Sequence, residues 1–117
     1  MAGIKEETGS FEGPAKTFRL IVSNSAEVEI QEAYDWIELN QPGNGIHFKD
    51  SLDNCLARIL KSPLTYRKKF LNARSIVMRP FKYRIFYFLN KSEISVIALV
   101  HSSRHDRVWK SRIRGNS

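Results

Sequence analysis

"YRIFYFLNKSEISVIALVHS", Tyr83–Ser102, is the stretch whose reading decides the fold. In its first part Tyr83, Ile85, Tyr87 and Leu89 alternate with Arg84, Phe86 and Phe88. A strand that alternates and is still apolar on both sides, except at Arg84, has to sit in the middle of a sheet, with Arg84 projecting at one end. "ISVIALVHS" (94–102) is a second β-branched run, and the polar "NKSE" between the two is short enough for a tight hairpin.

Working outward, "SIVMR" (75–79) reads as the strand before the hairpin and "TFRLIVS", Thr17–Ser23, as the first strand of the chain. Two helical patterns lie between them. In the first, Asn24 or Ser25 caps the start with Glu27 as the return partner of a capping box. Ala26, Ile30, Ala33 and Ile37, widened by Tyr34, form its apolar stripe, and Glu29, Glu32, Asp35 and Glu38 its wet side. "NQPGNG" breaks it. The second helix runs from about Gly45 to Lys61 with Phe48, Leu52, Cys55, Leu56, Ile59 and Leu60 on one face, and stops before Pro63. A connector this short makes the two helices an antiparallel hairpin. Near the end, Asp106 is placed to cap a short helix containing Val108, Trp109 and Arg112.

The expected fold is therefore α+β: an N-terminal strand, then a helix hairpin on one face of a mainly antiparallel four-stranded sheet, and a short C-terminal helix. The ordered domain is residues 17–114. Residues 1–16, polar and without either period, read as a flexible leader or a cloning remnant.

Charge is segregated along the 117 residues. Residues 1–60 carry 5 Lys/Arg against 10 Asp/Glu, a balance of −5, whereas residues 61–117 carry 14 against 2, a balance of +12. That exceeds what solubility requires of a small domain and suggests a basic face for a polyanion or an acidic partner. The expectation is that Arg79, Arg84, His101 and Arg104 converge on the sheet face the helices leave open. The single cysteine, Cys55, excludes an intramolecular disulfide and fits a reducing compartment. No apolar run approaches the roughly 20 residues of a membrane span, and the N-terminus lacks a signal-peptide core. The reading is a cytoplasmic protein with no cofactor. No metal is expected either: His101 and His105 are four apart, but His101 ends a strand, so the spacing does not bring the rings together.

Taken together, "SNSAEVEIQEAYDWI", "ILKSPLTY", "RPFKYRIFYFLN" and "ISVIALVHSSRHDRVW" resemble, in order and spacing, the RelE/ParE superfamily of toxins from bacterial type II toxin–antitoxin (plasmid stabilisation) systems. The resemblance spans about Phe18 to Arg112. It implies a cognate antitoxin, expected to be acidic, in a toxin–antitoxin hetero-oligomer, and one of two activities. ParE-like members inhibit DNA gyrase; RelE-like members cut messenger RNA in the ribosome.

On the nuclease side, Arg84 matches a catalytic arginine position, and Arg104 lies about one residue from a second, phosphate-binding one. Trp109 falls where such nucleases carry a catalytic tyrosine, and an indole is neither acid nor base at neutral pH. Proton transfer would then pass to His101 or His105. "VHSSRHD" instead looks ParE-like, with His101 and Arg104 structural or partner-contacting and the segment from Arg107 as the gyrase surface. This side is slightly favoured. Nucleic-acid or partner contacts are assigned to Arg67, Lys68, Lys69, Arg79, Lys82, Arg107, Trp109, Lys110 and Arg112. Trp109 also reads simply as an aromatic lid over the sheet. An inactive homologue or a generic nucleic-acid-binding domain is the third alternative.

Overall fold

The computed structural model describes residues 17–116; the leader assigned to residues 1–16 lies outside them. The chain runs β1 (Arg19–Val22), α1 (Asn24–Asn40), α2 (Gly45–Lys61), β2 (Lys68–Phe70), β3 (Ala73–Met78), β4 (Tyr83–Asn90), β5 (Glu93–His101) and α3 (Asp106–Asn116). The sheet has five strands in the order β1-β5-β4-β3-β2, not four. The extra strand is β2, in what reads as a basic connector. Three residues beginning Lys-Lys carry no alternation, and β2 exists only because Leu71, at φ 53°, reverses the chain so that Phe70 faces Ala73. β4 is central as its two-sided apolarity requires, and β1 joins β5 in parallel at the far edge.

The first helix is capped one residue earlier than either candidate: Ser23 Oγ accepts the Ala26 N–H at 3.1 Å. α1 buries Ala26, Ala33 and Ile37, and α2 buries Phe48, Leu52, Cys55 and Ile59; Leu60, placed on that stripe by spacing, is 41% exposed. Both helices pack on the face that carries Ile76, Met78, Ile85, Tyr87, Ile94, Val96 and Leu99. The opposite face is not open. α3 lays Trp109 and Ile113 over Ala73, Phe86, Ile97, Ala98 and Val100.

One bulge makes this two-sided packing possible. Phe86 pairs with Ala98 but Tyr87 pairs with Val96, so Ile97 is an extra residue in β5. Strict alternation from Ile94 and Val96 would send Leu99 to the α3 side. The added residue resets the phase, so Ile94, Val96 and Leu99 all face the helix hairpin while Ile97 and Val100 face α3.

The helix hairpin is pinned at its turn. Both oxygens of Glu38 accept backbone N–H groups, Gly43 at 2.8 Å and Gly45 at 3.0 Å. These bonds, that from Gly43 first, hold the Glu38 carboxyl below its ordinary pKa, so the tie is present at neutral pH and is lost as pH falls through the acid range. A Cβ at Gly45 would lie 2.6 Å from Tyr34 Cε2 and 2.7 Å from Glu38 Oε1. Gly45→Ala is expected to part the helices and cost about 1–3 kcal/mol, read as a lower urea midpoint with an unchanged slope. An unchanged midpoint would mean that Tyr34 gives way freely.

Candidate functional site

The candidate residues gather where β4 begins and β5 ends. A cleft of about 90 Å³ there is lined by Lys69, Arg84, His101, Arg104, Asp106 and Trp109, among others. Beside it, along the edge strand, runs a larger groove of about 420 Å³ lined by Arg67, Lys68, Lys69, Ser75 and Arg84. Lys69 and Arg84 line both, so the two depressions adjoin at these side chains as a basic track.

The cations do not, however, converge on one uncovered face. Successive cross-strand pairs alternate sides of a sheet. Arg84 sits opposite Val100 on the α3 side, whereas His101 sits opposite Tyr83 on the helix-hairpin side. They meet only at the strand ends. Arg79 and Lys82 are exposed in the β3–β4 connection, with Arg79 ahead of a cis proline peptide and Lys82 at φ 64°, and neither lines the track.

Each polar group nearby has a defined task. Arg84 Nη1 donates to Ser75 Oγ at 3.1 Å, a neutral partner that leaves its charge uncompensated. His101 stands edge-on to Tyr83 with ring centroids 5.0 Å apart. Its Nδ1 accepts the Ser103 N–H at 3.1 Å and lies 2.8 Å from Ser103 Oγ, so the neutral ring carries its proton on Nε2. His105 Nδ1 accepts the Arg107 N–H at 3.0 Å, which makes His105, rather than Asp106, the side chain that caps α3. Asp106 Oδ1 instead accepts the indole N–H of Trp109 at 3.2 Å.

Trp109 is the lid that the aromatic reading of the tail expects: it stacks on Phe86 at 5.0 Å and 23° and meets Phe70 edge-on at 5.9 Å. Lys110 lies over the Phe70 and Trp109 rings, 5.4 Å and 5.6 Å from their centroids. Arg107 is exposed on the first turn of α3. The two tyrosines of β4 are not poised for proton transfer. Burial pushes Tyr83 above its ordinary value, and burial pushes Tyr87 up to about 12, with its hydroxyl donating to Pro63 O at 2.6 Å. Burial likewise raises the Cys55 thiol, which keeps it inert. Among the described residues no group of three or more His, Cys, Asp or Glu could hold a metal ion, and no helix is long and apolar enough to cross a membrane.

Arg112 is not the surface contact it reads as. β1 stops at Val22, so among the described residues β5 beyond Val96 has no strand on its outer side. Two side chains take that place. Arg112 Nη2 donates to Ile97 O at 2.8 Å, Glu29 Oε1 accepts the Leu99 N–H at 3.1 Å, and the two charges bond each other at 2.8 Å. Glu29 and Arg112 are 83 residues apart, and nothing in their local pattern announces the pair; Glu29 reads as one more acid on a wet helix face.

A family model described as "ParE toxin of type II toxin-antitoxin system, parDE" matches residues 20–106. Among solved structures, a chain of the chromosomal ParDE toxin–antitoxin system from P. aeruginosa is similar at 9% identity and a TM-score of 0.66, covering 74% of this chain and 98% of that one. The isolated RelE toxin of E. coli is similar at 18% identity and a TM-score of 0.51, covering 86% and 100%. At these identities the structures show a shared fold. No curated protein matches the sequence at a significant level.

Proposed function

This chain belongs to the ParE toxin family of type II toxin–antitoxin systems, and from that premise we propose that it arrests growth in the cytoplasm by binding DNA gyrase, and that a cognate acidic antitoxin silences it. The observation that carries the choice of target is Trp109. The position that by resemblance is a catalytic tyrosine in RelE-like nucleases holds an indole buried against Phe86, its N–H spent on Asp106. His101 and His105 each accept a backbone N–H of their own loop at Nδ1, which ties both rings to that loop. A cationic track beside a buried indole, where a nuclease would need a phenol, suits binding better than catalysis.

The antitoxin has a surface of suitable chemistry. Val28, Trp36 and Leu39 are 56%, 62% and 78% exposed on one side of α1, at spacings of eight and three that helical geometry stacks together. Such apolar anchors suit an amphipathic partner segment, while the +12 balance of the second half speeds its approach in a salt-dependent way. RelE-like cleavage of messenger RNA is the second reading, favoured by one observation: Arg84, His101 and Arg104 do line the same cleft.

Purified chain added to gyrase is expected to inhibit supercoiling in proportion to its concentration, with antitoxin restoring activity. In a parallel translation reaction the message should stay intact. Cleaved message with uninhibited gyrase would reverse the assignment.

A further inference from the structure

The basic track has the chemistry of a phosphodiester site and lacks the parts needed to read bases. Arg67, Lys68, Lys69, Arg84 and Arg104 line its two depressions against one described acid, Asp106, which accepts the Trp109 indole N–H; Glu29 and Glu32 share a neighbouring pocket with Arg104. Among the described residues the ion pairs are Arg19–Glu93 and Arg112–Glu29, neither of which neutralises a track cation. Arg84 is held half-buried by Ser75, so one guanidinium is already oriented at the junction of cleft and groove. The remaining four are exposed and adaptable, as backbone contacts require.

Single-stranded nucleic acid is gripped by aromatic faces on which unpaired bases stack. Here most such faces near the track are covered. Phe86 is fully buried and Trp109 is 7% exposed, the two rings stacked on each other. Phe70 lies under Lys110 and Arg114; Tyr66, half-buried against the helix-side core, is the ring that lines the groove. A surface that offers five cations and a single half-buried phenol ring fits a duplex better than an unpaired strand, since a duplex has its bases paired and its phosphates facing outward.

We infer that the Arg67–Lys69, Arg84 and Arg104 track binds the phosphate backbone of duplex DNA, without sequence preference and without gyrase. The inference goes beyond the gyrase reading and survives its failure.

The test is fluorescence anisotropy of the full chain with a labelled 20-base-pair duplex between 50 and 200 mM salt. With about four phosphates neutralised, the logarithm of the affinity should fall with that of salt at a slope of about −3.6, or about 100-fold across the range. Lys69→Gln/Arg84→Gln should weaken binding and make the slope shallower by about 2. Lys69→Gln/Arg104→Gln, changing only exposed side chains, should do the same and guards against a folding defect at Arg84. The control Lys49→Gln/Lys61→Gln removes equal charge from α2 and should leave binding within about twofold, as distant charges are screened.

Equal loss in the control and the track variants would mean that net charge alone is responsible, and would overturn the inference. So would binding of a 20-nucleotide single-stranded RNA as tight as the duplex. Gyrase inhibition by a chain that does not bind the duplex removes this inference and leaves the proposed function standing. Duplex binding without gyrase inhibition does the opposite.

Discussion

Replacing Trp109 with alanine should cost about 3–5 kcal/mol of stability, the range for deleting a large aromatic from a packed core. The indole is 7% exposed, stacked on Phe86 and edge-on to Phe70. With Ile113 it is the buried apolar contact of α3 on the sheet. α3 is too short and too polar to hold its place by helix propensity, so its position depends on this burial. Removing the ring also strips Asp106 of its donor and Lys110 of an aromatic surface.

Urea denaturation measures the loss. Tryptophan fluorescence adds a local readout, since Trp36 is 62% exposed and Trp109 is buried: in a Trp36→Phe background the remaining emission should be blue-shifted and move red as α3 detaches. Trp109→Phe should recover most of the stability. A loss under about 1 kcal/mol in Trp109→Ala would show that α3 is held by something else. If toxicity in Trp109→Phe stays near that of the natural chain, the indole serves packing and not chemistry, as the binding reading requires.

Arg112→Ala should be the second-largest single effect. Breaking a buried ion pair costs about 3–5 kcal/mol because the surviving charge is stranded. Here both side chains keep a quarter of their surface exposed, so about 2 kcal/mol is expected. Glu29→Ala should cost a similar amount. Because both act on one structure, the double variant should be less destabilised than the sum of the singles, with a coupling of about 1–2 kcal/mol in a double-mutant cycle.

The variants should also differ from ordinary destabilised proteins in a second respect. Ile97 O and Leu99 N–H lie on a strand edge that no other strand among the described residues covers, and an uncapped edge is a template for pairing with another chain. Size exclusion should show concentration-dependent association in Arg112→Ala and Glu29→Ala but not in Gly45→Ala. Strict additivity in the cycle, with no association, would mean that the two residues act independently of the edge.

Much of the architecture is legible along the chain because it rests on local periods. The alternation in Tyr83–Leu89 predicts a central strand, and the stripe Ala26–Ile30–Ala33–Ile37 predicts the buried side of α1; both positions are found. Burial supplies the reason, since a residue's side of a helix or strand follows from its own few neighbours. β2 was not legible, as three residues with adjacent lysines have no period to detect. The side of His101 was not legible either, because the bulge at Ile97 changes the phase of β5 by one residue and is seen only once β4 is laid alongside.

The candidate site divides in the same way. Its ingredients, twelve more positive than negative charges after residue 60 and an indole in place of a phenol, stand in the sequence. Their arrangement does not. Lys69 meets Arg84 only because β2 pairs with β3 and β3 with β4, and Arg112 leaves the surface only because β1 ends before β5 does. Patterning of apolar residues chooses which face of each element turns inward, a decision every segment makes within about two turns of itself. Which cations become neighbours, and which one is drawn in to close a strand edge, depends on backbone groups left unpaired between segments far apart in the chain, and those exist only after the sheet has assembled.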